Sequence, residues 1–205
     1  MSERSLSIGW DCDDVLIPFI YPAVEHYNLT YNADVDVAHF YDGPEHWGVD
    51  DLSIAAGRVQ VYMRDKIVNS PQDFINPNPD AVEVVHSLSR VHRQFIITGR
   101  SDFMQPMTNE MVDTHFADKF YKIIHTNHFD EHISRTKGSV CLEESADVLV
   151  DDGLLHCESA VEEGEVEVAL LLDEPWNRDR TLHPKIIRCA NLWVVREEIQ
   201  KIARS

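Results

Sequence analysis

Two carboxylates one residue apart, Asp11 and Asp13, directly follow a predicted short buried strand. Residues 7–10 before them mix β-branched, small and aromatic side chains, which is typical of such a strand. In open α/β sheets, ligands bind at the carboxyl ends of the strands. Because two neighbouring carboxylates are costly to bury as anions, this pair requires a divalent cation, a shared proton or basic neighbours.

Two later parts of the chain offer groups that suit a phosphate. Residues 94–98 predict a buried strand that continues into Gly99 and Arg100. The hydroxyl of Thr98, the flexible backbone of the turn and the helix start that follows are suited to a phosphate oxygen. Lys137 begins another predicted helix and offers a compact positive charge.

A further strand end adds carboxylates. Residues 147–150 predict a buried strand that ends in Asp151 and Asp152, and such hard oxygen ligands suit a magnesium ion held by few carboxylates and several waters. Each of these features alone has an ordinary interpretation as a turn, a solvated charge or a helix cap. Their common position after predicted strands favours a single site.

The expected fold class is α/β, with a doubly wound parallel sheet. Strands alternate with helices from residue 80 onward, which indicates parallel strands covered on both faces. The predicted strands span residues 7–10, 94–98, 121–124, 147–150 and 166–172, and the predicted helices of this part span 81–91, 102–116, 137–144, 154–163 and 194–203.

A small, mainly helical cap is expected as an insertion after the first strand. We assign residues 17–78 to this cap and residues 1–16 and 79–205 to the core domain. The segment 70–79 contains three prolines, which predicts a linker that returns the chain to the core.

Within the cap, two helices are predicted. The first spans residues 17–27, and the second begins after Asp50 or Asp51 as its N-cap. Between them, residues 28–48 are predicted to be irregular and are rich in aromatic residues and histidine. One face of the second helix is apolar at helical spacing and comprises Leu52, Ala55, Ala56, Val59, Met63 and Ile67.

The net charge of the 205-residue chain limits its partners. There are 36 acidic and 18 basic residues, which give a net charge of −18. Duplex nucleic acid is excluded as a sequence-independent partner, because neutralising phosphates requires clustered Lys and Arg. The acidic excess is typical of proteins adapted to high salt and also of many ordinary proteins. An anionic substrate would need positive charge supplied locally by its site.

The sequence predicts a soluble cytoplasmic protein with no membrane partner. No apolar run approaches the roughly 18 to 20 residues that cross a bilayer, and residues 1–5 lack the features of a signal peptide. The cysteines form no CxxC pair, which is typical of reduced thiols in a cytoplasm. They are Cys12, Cys141, Cys157 and Cys189.

The order Asp-x-Asp, Thr, Lys, Asp-Asp resembles the four motifs of the haloacid dehalogenase superfamily, most of whose members are phosphohydrolases. The resemblance spans almost the whole chain. It implies that Asp11 is a nucleophile that forms an aspartyl-phosphate, and that Asp13 protonates the leaving oxygen and then activates water. It also implies that Thr98 and Lys137 hold the phosphoryl oxygens, and we assign Gly99 and Arg100, which follow Thr98, to the same phosphate-binding set.

The same resemblance implies Mg²⁺ as the cofactor. The ion would lie between Asp11, the backbone carbonyl of Asp13 and the Asp151–Asp152 pair, with Asp152 as the main ligand of that pair. An aspartate at position 13 favours phosphate chemistry, because dehalogenases of the superfamily resemble the motif less at that position.

A narrower resemblance concerns the substrate. The Pro-aromatic-Asn-Arg segment at 175–178 is similar to one in the 5'(3')-deoxyribonucleotidase-like (type C 5'-nucleotidase) family, which implies a nucleoside monophosphate as the substrate. In that family, aromatic cap residues stack on the base, a contact worth roughly 1 to 3 kcal/mol. The candidates here are Phe19, Tyr41 and Trp47, which could equally just hold the cap together. Asn177 and Arg178 are expected to fix a loop near the site.

Two other functions fit the same residues. The first is a phosphatase for a sugar phosphate or another small phosphorylated metabolite. The second is a binding or regulatory protein that keeps the fold without useful catalysis. Since Asp11 and Asp13 are both present, the second function is disfavoured.

Two remaining features have a structural interpretation. His125, His128 and His132 have a metal-like spacing, but the surrounding composition favours a solvated polar loop over a zinc site. Cys12, between the two aspartates, is expected to be a small core filler that faces away from the site.

Overall fold

The computed structural model describes residues 3–70, 76–127, 135–178 and 180–205, with Ile67 described only through its backbone. In these ranges, six parallel strands form one sheet in the order β3-β2-β1-β4-β5-β6. The strands are β1 (Ser7–Trp10), β2 (Arg93–Thr98), β3 (Ile123–His125), β4 (Val148–Asp151), β5 (Val168–Leu172) and β6 (Ile186–Cys189). The predicted doubly wound parallel sheet is confirmed.

The described helices cover both faces of this sheet and one end of it. They are α1 (Ile20–Tyr31), α2 (Leu52–Asn69), α3 (Pro79–Leu88), α4 (Gln105–Met111), α5 (Lys137–Glu143), α6 (Leu154–Glu162) and α7 (Leu192–Ile202). Short 3₁₀ segments span Val37–His39, Pro44–Trp47, Asp102–Met104 and Pro175–Asn177, and a π-helical turn spans Val112–Phe116. No helix among these is long and apolar enough to cross a membrane.

Alternate residues of each central strand face two separate cores. In β2, Ile96 belongs to the cluster that includes residues of α3 and α7, whereas Phe95 and Ile97 belong to the cluster that includes residues of α5 and α6. In β4, Leu149 belongs to the cluster with α5 and α6, whereas Val148 and Val150 belong to the cluster with α3 and α7. Burial on both faces explains why these strands are almost continuously apolar in sequence.

A third apolar cluster lies over the carboxyl end of the sheet. It combines α1, α2 and the segment between them with two residues of the core, Met104 and Trp176. The assignment of residues 17–78 to a cap remains our interpretation of this arrangement. Residues 71–75 of the predicted linker lie outside the described residues.

Several element bounds differ from the prediction for local physical reasons. Helix α1 begins at Ile20 and not at residue 17. The Asp14 carboxylate fixes this start, because it accepts hydrogen bonds from the Phe19 and Ile20 amides at 2.9 and 3.0 Å. Ile17 is not helical, since it pairs with Asp13 in an isolated bridge. Helix α1 continues to Tyr31, into the segment predicted to be irregular. For α2, Asp51 is the N-cap and accepts a hydrogen bond from the Ser53 amide, as predicted.

Two features of the core were not predicted. Strand β6 was missed because its two isoleucines stand between Lys185 and Arg188, so no apolar run marks the strand in the sequence. The predicted helix 102–116 is divided into a 3₁₀ turn, α4 and the π-helical turn. Pro106 stands near the start of α4, where a proline without an amide hydrogen is tolerated.

Candidate active site

The ends of β1 and β4 bring Asp11 and Asp151 together. The strands are parallel neighbours with Trp10 opposite Val150, and the Asp11 amide donates to the Val150 carbonyl at 2.9 Å. Lys137 lies between the two carboxylates, with its Nζ atom 2.6 Å from Oδ1 of Asp11 and 2.7 Å from Oδ2 of Asp151. All three side chains are buried.

Lys137 reaches this position from the first residue of α5. Gly138 beside it has no room for a side chain, because a Cβ atom there would collide with the backbone and hydroxyl of Ser159 in α6. Its amide instead donates to the Ser159 hydroxyl at 3.1 Å. The close approach of α5 to α6 thus fixes the backbone from which Lys137 extends.

Asp152 completes a group of three buried carboxylates. Asp11, Asp151 and Asp152 each offer an oxygen, and these oxygens lie within 4.8 Å of one another. Oδ2 of Asp152 accepts a hydrogen bond from the Trp176 indole at 2.9 Å, and its backbone carbonyl accepts one from the Asn177 amide group at 2.8 Å. The 175–178 segment therefore supports the carboxylate cluster directly.

Asn177 and Arg178, in the same segment, make different contacts. Asn177 also donates to the Leu172 carbonyl at 2.7 Å, so its side chain joins the end of β5 to the loop after β4. Arg178 is directed elsewhere and pairs with Asp173 at 3.3 Å. Trp176 was part of the motif in the sequence, but no pattern there indicated its bond to Asp152.

The carboxylate cluster holds more negative than positive charge. Burial raises the pKa of Asp11 to about 7, although Lys137 acts to lower it. Burial, followed by the charge of Asp151, raises the pKa of Asp152 well above its ordinary value. Burial opposes the charged form of Lys137, but the charges of Asp11 and Asp151 outweigh it and raise the pKa of the lysine.

This excess of negative charge fits the predicted magnesium ion. Carboxylate oxygens are hard ligands of the kind that Mg²⁺ prefers, and Mg²⁺ commonly keeps several waters beside one or two of them. A dication would offset the burial, and the repulsion between carboxylates that adds to it, which together raise the pKa values of Asp11 and Asp152.

Asp13 lies in a different environment, paired with Arg100. The guanidinium donates from Nε to Oδ2 of Asp13 at 3.0 Å and from Nη2 to Oδ1 at 2.7 Å. Its Nη1 atom donates to the Thr108 hydroxyl at 3.1 Å. Arg100 is 1% exposed, whereas 25% of the Asp13 side chain is exposed. Arg100 was predicted to bind phosphate; in the structure its guanidinium contacts Asp13 and Thr108, and the phosphate role stays a prediction.

The other two predicted phosphate ligands lie beside this pair. Thr98 is fully buried at the end of β2, and its hydroxyl accepts a hydrogen bond from the Arg100 amide at 3.2 Å. Gly99 lines the cleft together with Asp11 and Lys137.

Asp14 is a member of the site region that the sequence analysis did not single out. Its backbone is left-handed, with φ of 57°, and its carboxylate caps α1. Burial raises its pKa to about 8 in spite of the hydrogen bonds from Phe19 and Ile20. The signal available in the sequence was a third aspartate shortly before a helix start.

Side chains of the predicted cap form the opposite wall of the cleft. The cleft lies between the strand ends and this wall, and it is lined by Asp11, Asp13, Asp14, Phe19, Phe40, Tyr41, Met63, Gly99, Arg100, Lys137, Asp152 and His156. Phe19 and Tyr41 are thus beside the carboxylates, as a substrate contact would require. Phe40 and Met63 were not predicted there, although both belonged to patterns noted in the sequence.

An apolar cavity of about 220 Å³ adjoins the cleft. Phe19, Phe40, Tyr41 and Met63 line both spaces. The cavity is otherwise lined by Asp42, Trp47, Leu52, Ala55, Ala56, Val59 and Gln60. Trp47 lines only the cavity, where its buried ring packs edge-on against Tyr27 and Phe40.

Tyr41 connects the two spaces. Half of the surface of the whole residue is exposed, whereas its phenol lies in the cleft with Asp11 and Asp152. Its pKa nevertheless lies well above the ordinary value, because the phenol is withdrawn from water and the charges of Asp152 and Asp11 oppose its ionisation. A neutral hydroxyl beside the carboxylate cluster remains a hydrogen-bond donor.

Of the three histidines with metal-like spacing, the structure describes His125. Nδ1 of His125 lies 3.2 Å from the Arg100 carbonyl, and burial lowers the pKa of this ring. His128 and His132 lie outside the described residues, so the choice between a loop and a zinc site stays a prediction.

Cys12 is fully buried in the first core cluster, which confirms its predicted role as a filler. All four cysteines are free thiols.

Comparisons with known proteins identify the fold. No protein-family profile matches the sequence. Comparison with curated proteins likewise gives no match. Among solved structures, the chain is similar to SP0104 of Streptococcus pneumoniae, a haloacid dehalogenase-like hydrolase, with 14% identity, 96% of this chain and 99% of that chain covered, and a TM-score of 0.66.

Two further solved structures have the same fold. One is the magnesium-bound HAD-hydrolase YfnB of Bacillus subtilis, with 11% identity, 99% and 100% of the two chains covered and a TM-score of 0.58. The other is a 2-haloacid dehalogenase of Pseudomonas syringae, with 15% identity, 98% and 99% covered and a TM-score of 0.51. The chain therefore has the haloacid dehalogenase-like fold. Since the same fold hosts different reactions, the reaction has to be argued from the site.

Proposed function

We propose that this protein is a magnesium-dependent phosphomonoesterase that forms an aspartyl-phosphate on Asp11. The observation that carries the proposal is the contrast between two carboxylates one residue apart. Asp11 is buried against Lys137, whereas Asp13 is partly exposed and held by Arg100. Different environments for two neighbouring carboxylates are how one site obtains a nucleophile and a separate acid and base.

The proposed reaction has two steps. In the first, an oxygen of Asp11 bonds to phosphorus, the bond to the leaving oxygen breaks, and Asp13 donates a proton to that oxygen. In the second, water attacks phosphorus, Asp13 accepts its proton, and the bond between Asp11 and phosphorus breaks. The products are the free alcohol and inorganic phosphate.

The residues around Asp11 and Asp13 would orient these groups. Lys137 holds the Asp11 carboxylate, and Arg100 holds the Asp13 carboxylate through two donors. Thr98 and Gly99 are proposed to contact the phosphoryl oxygens together with Lys137. Tyr41 lies over the same cleft and could donate a further hydrogen bond to a bound phosphate.

Asp11, Asp152 and the backbone carbonyl of Asp13 are proposed to hold Mg²⁺, with Asp151 beside them. When bound, the ion would neutralise charge on the phosphoryl oxygens. Two observations support this assignment: the excess of buried carboxylates in this chain, and the magnesium-bound state of the similar hydrolase YfnB.

Phosphate transfer is preferred to dehalogenation because of Asp13. A halide departs as a stable anion and needs no proton, whereas an alkoxide leaving group does. Asp13 is partly exposed at the mouth of the cleft, where it would take up a proton from solvent and donate it to the leaving oxygen, while the buried arginine holds its position. A binding protein without catalysis would have no need for such a pair.

For the substrate, we propose a nucleoside monophosphate. The apolar cavity beside the phosphate site suits a flat, uncharged leaving group such as a base, and no Lys or Arg is among its lining residues. Among the residues that the structure describes, Lys and Arg contribute two cationic side chains to the cleft, Lys137 and Arg100, and both are paired with carboxylates. A second phosphate or carboxylate on the substrate would lack a free cation among these residues. This disfavours phosphorylated sugar acids and bisphosphates.

The activity can be tested by measuring phosphate release from 4-nitrophenyl phosphate with magnesium and with a chelator. The assay should be repeated across salt concentrations, because the chain is strongly acidic. We expect release that requires magnesium and is restored when the ion is returned. Absence of release with every divalent metal and at every salt concentration would reject the phosphatase and favour the binding protein.

A substrate panel tests the nucleotide proposal separately. We expect kcat/KM to be higher for nucleoside monophosphates than for glucose 6-phosphate and phosphoglycolate. Equal or reversed preference, with phosphatase activity intact, would reject the nucleotide and keep the reaction class.

A further inference from the structure

A second cluster of metal-ligand side chains lies on the cap, outside the carboxylate site. His39, Asp42 and His46 each offer one ligand atom, and these atoms lie within 4.8 Å of one another. His39 and Asp42 are partly buried, and 36% of the His46 side chain is exposed. Two imidazole nitrogens and one carboxylate oxygen form a donor set that suits zinc and related transition metals better than magnesium.

The backbone between the three residues is held by local hydrogen bonds. The Asp42 amide donates to the His39 carbonyl at 3.0 Å, and the His46 amide donates to the Gly43 carbonyl at 3.1 Å. His39 ends one 3₁₀ segment and His46 belongs to the next. Because these turns already bring the donors together, binding a metal requires little further ordering of the chain.

The side chains are arranged around Asp42. Nδ1 of His39 lies 2.7 Å from Oδ2 of Asp42, and the His39 and His46 rings stack with centroids 4.2 Å apart and an interplanar angle of 17°. Arg180 approaches the other carboxylate oxygen of Asp42 at 3.8 Å, which helps to orient it. His46 also has an acidic neighbour of its own, since its Nε2 atom lies 3.7 Å from Oε1 of Glu45. Separate ion pairs of His39 with Asp42 and of His46 with Glu45 do not explain why both imidazoles lie close to the same Asp42 carboxylate.

We propose that His39, Asp42 and His46 bind one divalent transition metal ion of the zinc type, with water in the remaining coordination position. Small rotations of the two rings would direct their nitrogens to a common ion. Such a site differs from the carboxylate cluster, which offers only oxygen ligands.

The position of this site suggests what the metal would do. Phe40 and Tyr41, which line both the cleft and the cavity, lie in sequence between His39 and Asp42. A metal bound by residues on both sides of them would fix the segment that carries these two aromatic side chains. It would act as a structural brace, and no bond of the substrate would need to form or break at it.

Calorimetric titration of the full chain with zinc, in excess magnesium, tests the proposal. We expect a zinc site that His46→Gln and His39→Gln each weaken by about tenfold or more, since loss of even an indirect metal partner commonly costs that much. His183→Gln is the matched control, because His183 is exposed and outside the cluster. Zinc should also raise the melting temperature of the wild type and not that of the variants.

Circular dichroism of each variant shows whether it is folded, and Asp42→Asn provides a third variant of nearly unchanged shape. Cobalt adds a spectroscopic readout, because four-coordinate cobalt absorbs visible light far more strongly than the six-coordinate ion expected among carboxylates. Equal zinc affinity of the wild type and the folded cluster variants would overturn the proposal. So would a cobalt spectrum that none of the three substitutions alters.

Discussion

The two walls of the cleft are built on opposite principles. On the core side, Asp11, Asp13 and Lys137 are each held in an ion pair at a strand end or helix start. On the cap side, Phe19, Phe40 and other apolar side chains line the cleft. The charged wall is fixed by the register of the sheet, whereas the apolar wall depends on how the cap helices and turns pack.

This difference separates the reaction from its specificity. Buried charges in fixed geometry can carry out the same bond changes on any phosphate ester. An apolar wall distinguishes leaving groups by shape and hydrophobicity, which changes selectivity by modest factors. Substitutions in the first wall should therefore affect turnover of every substrate, and substitutions in the second should affect some substrates and not others.

The largest effect is expected for Asp11→Asn. An amide in place of the nucleophile should lower kcat by roughly 10⁴-fold or more for all phosphate esters. Phosphate release under single-turnover conditions is the appropriate measurement. Asp113→Asn, which changes an exposed aspartate of the π-helical turn, is the matched control and should be fully active. Residual activity within tenfold of the wild type would remove Asp11 from the nucleophile role.

Lys137→Met should damage both turnover and stability. It would leave Asp11 and Asp151 without their shared cation, and breaking a buried pair in this way costs about 3 to 5 kcal/mol. The loss should be largest in chelator at pH 8 and smaller at pH 5, because carboxylates whose pKa is raised take up protons as the pH falls. Urea unfolding at both pH values measures it, and a loss independent of pH and magnesium would contradict this electrostatic account.

Arg100→Gln distinguishes between two roles for the arginine. If Arg100 orients Asp13, kcat should fall by roughly 10- to 100-fold with little change in KM. If it binds phosphate, as the sequence suggested, KM should rise. Steady-state kinetics with 4-nitrophenyl phosphate and with a nucleoside monophosphate would separate the two, because the activated ester depends less on an acid at the leaving oxygen.

In the apolar wall, Ala56→Phe should change selectivity alone. Ala56 is an exposed residue that lines the cavity, so a larger side chain can fill the space without disturbing the core. We expect kcat/KM to fall by about tenfold for nucleoside monophosphates and to stay constant for methyl phosphate. Val61→Phe, on the exposed side of the same helix, is the control. An equal loss for large and small esters would mean that the cavity does not receive the leaving group.

The smallest effect should come from a residue outside both walls. His92 is buried before β2, where its Nδ1 atom accepts a hydrogen bond from the Leu6 amide at 3.3 Å, and burial lowers its pKa. The unfolded chain therefore binds a proton below about pH 6.5 that the folded chain resists, so stability falls as the pH decreases through that value. His92→Gln should flatten this part of the pH profile of urea unfolding, while leaving kcat unchanged.

Much of the charged wall could be predicted from the sequence because strand ends are visible in it. Apolar runs that stop at Asp11, Thr98 and Asp151 place these residues at one edge of any parallel sheet. Lys137 followed from its position at a helix start. The direction of the Arg100 side chain could not be predicted, since a long side chain after a strand can reach phosphate or a neighbouring carboxylate with equal ease.

The apolar wall was less predictable for a related reason. Residues 32–48 lack a helical or strand period, because their short 3₁₀ turns leave no repeating pattern. Which apolar side chains enter the cleft depends on long-range packing, so Phe40 and Met63 were missed. Phe19 and Tyr41, named from the sequence as candidate base contacts, also line the cleft, and their contact with substrate stays a prediction. Strand β6 was not predicted because Lys185 and Arg188 interrupt the apolar pattern around its two isoleucines.

The central claim is that Asp11 receives the phosphoryl group. It can be tested by mixing an Asp13→Asn variant with 4-nitrophenyl phosphate and magnesium, quenching in acid and mapping the peptides by mass spectrometry. The activated leaving group needs no acid, and hydrolysis lacks its base, so a phosphorylated form should accumulate. We predict one phosphoryl group on Asp11, absent when Asp11→Asn is added. A phosphoryl group on any other residue, or 4-nitrophenol release at a normal rate with no phosphorylated protein, would contradict the account.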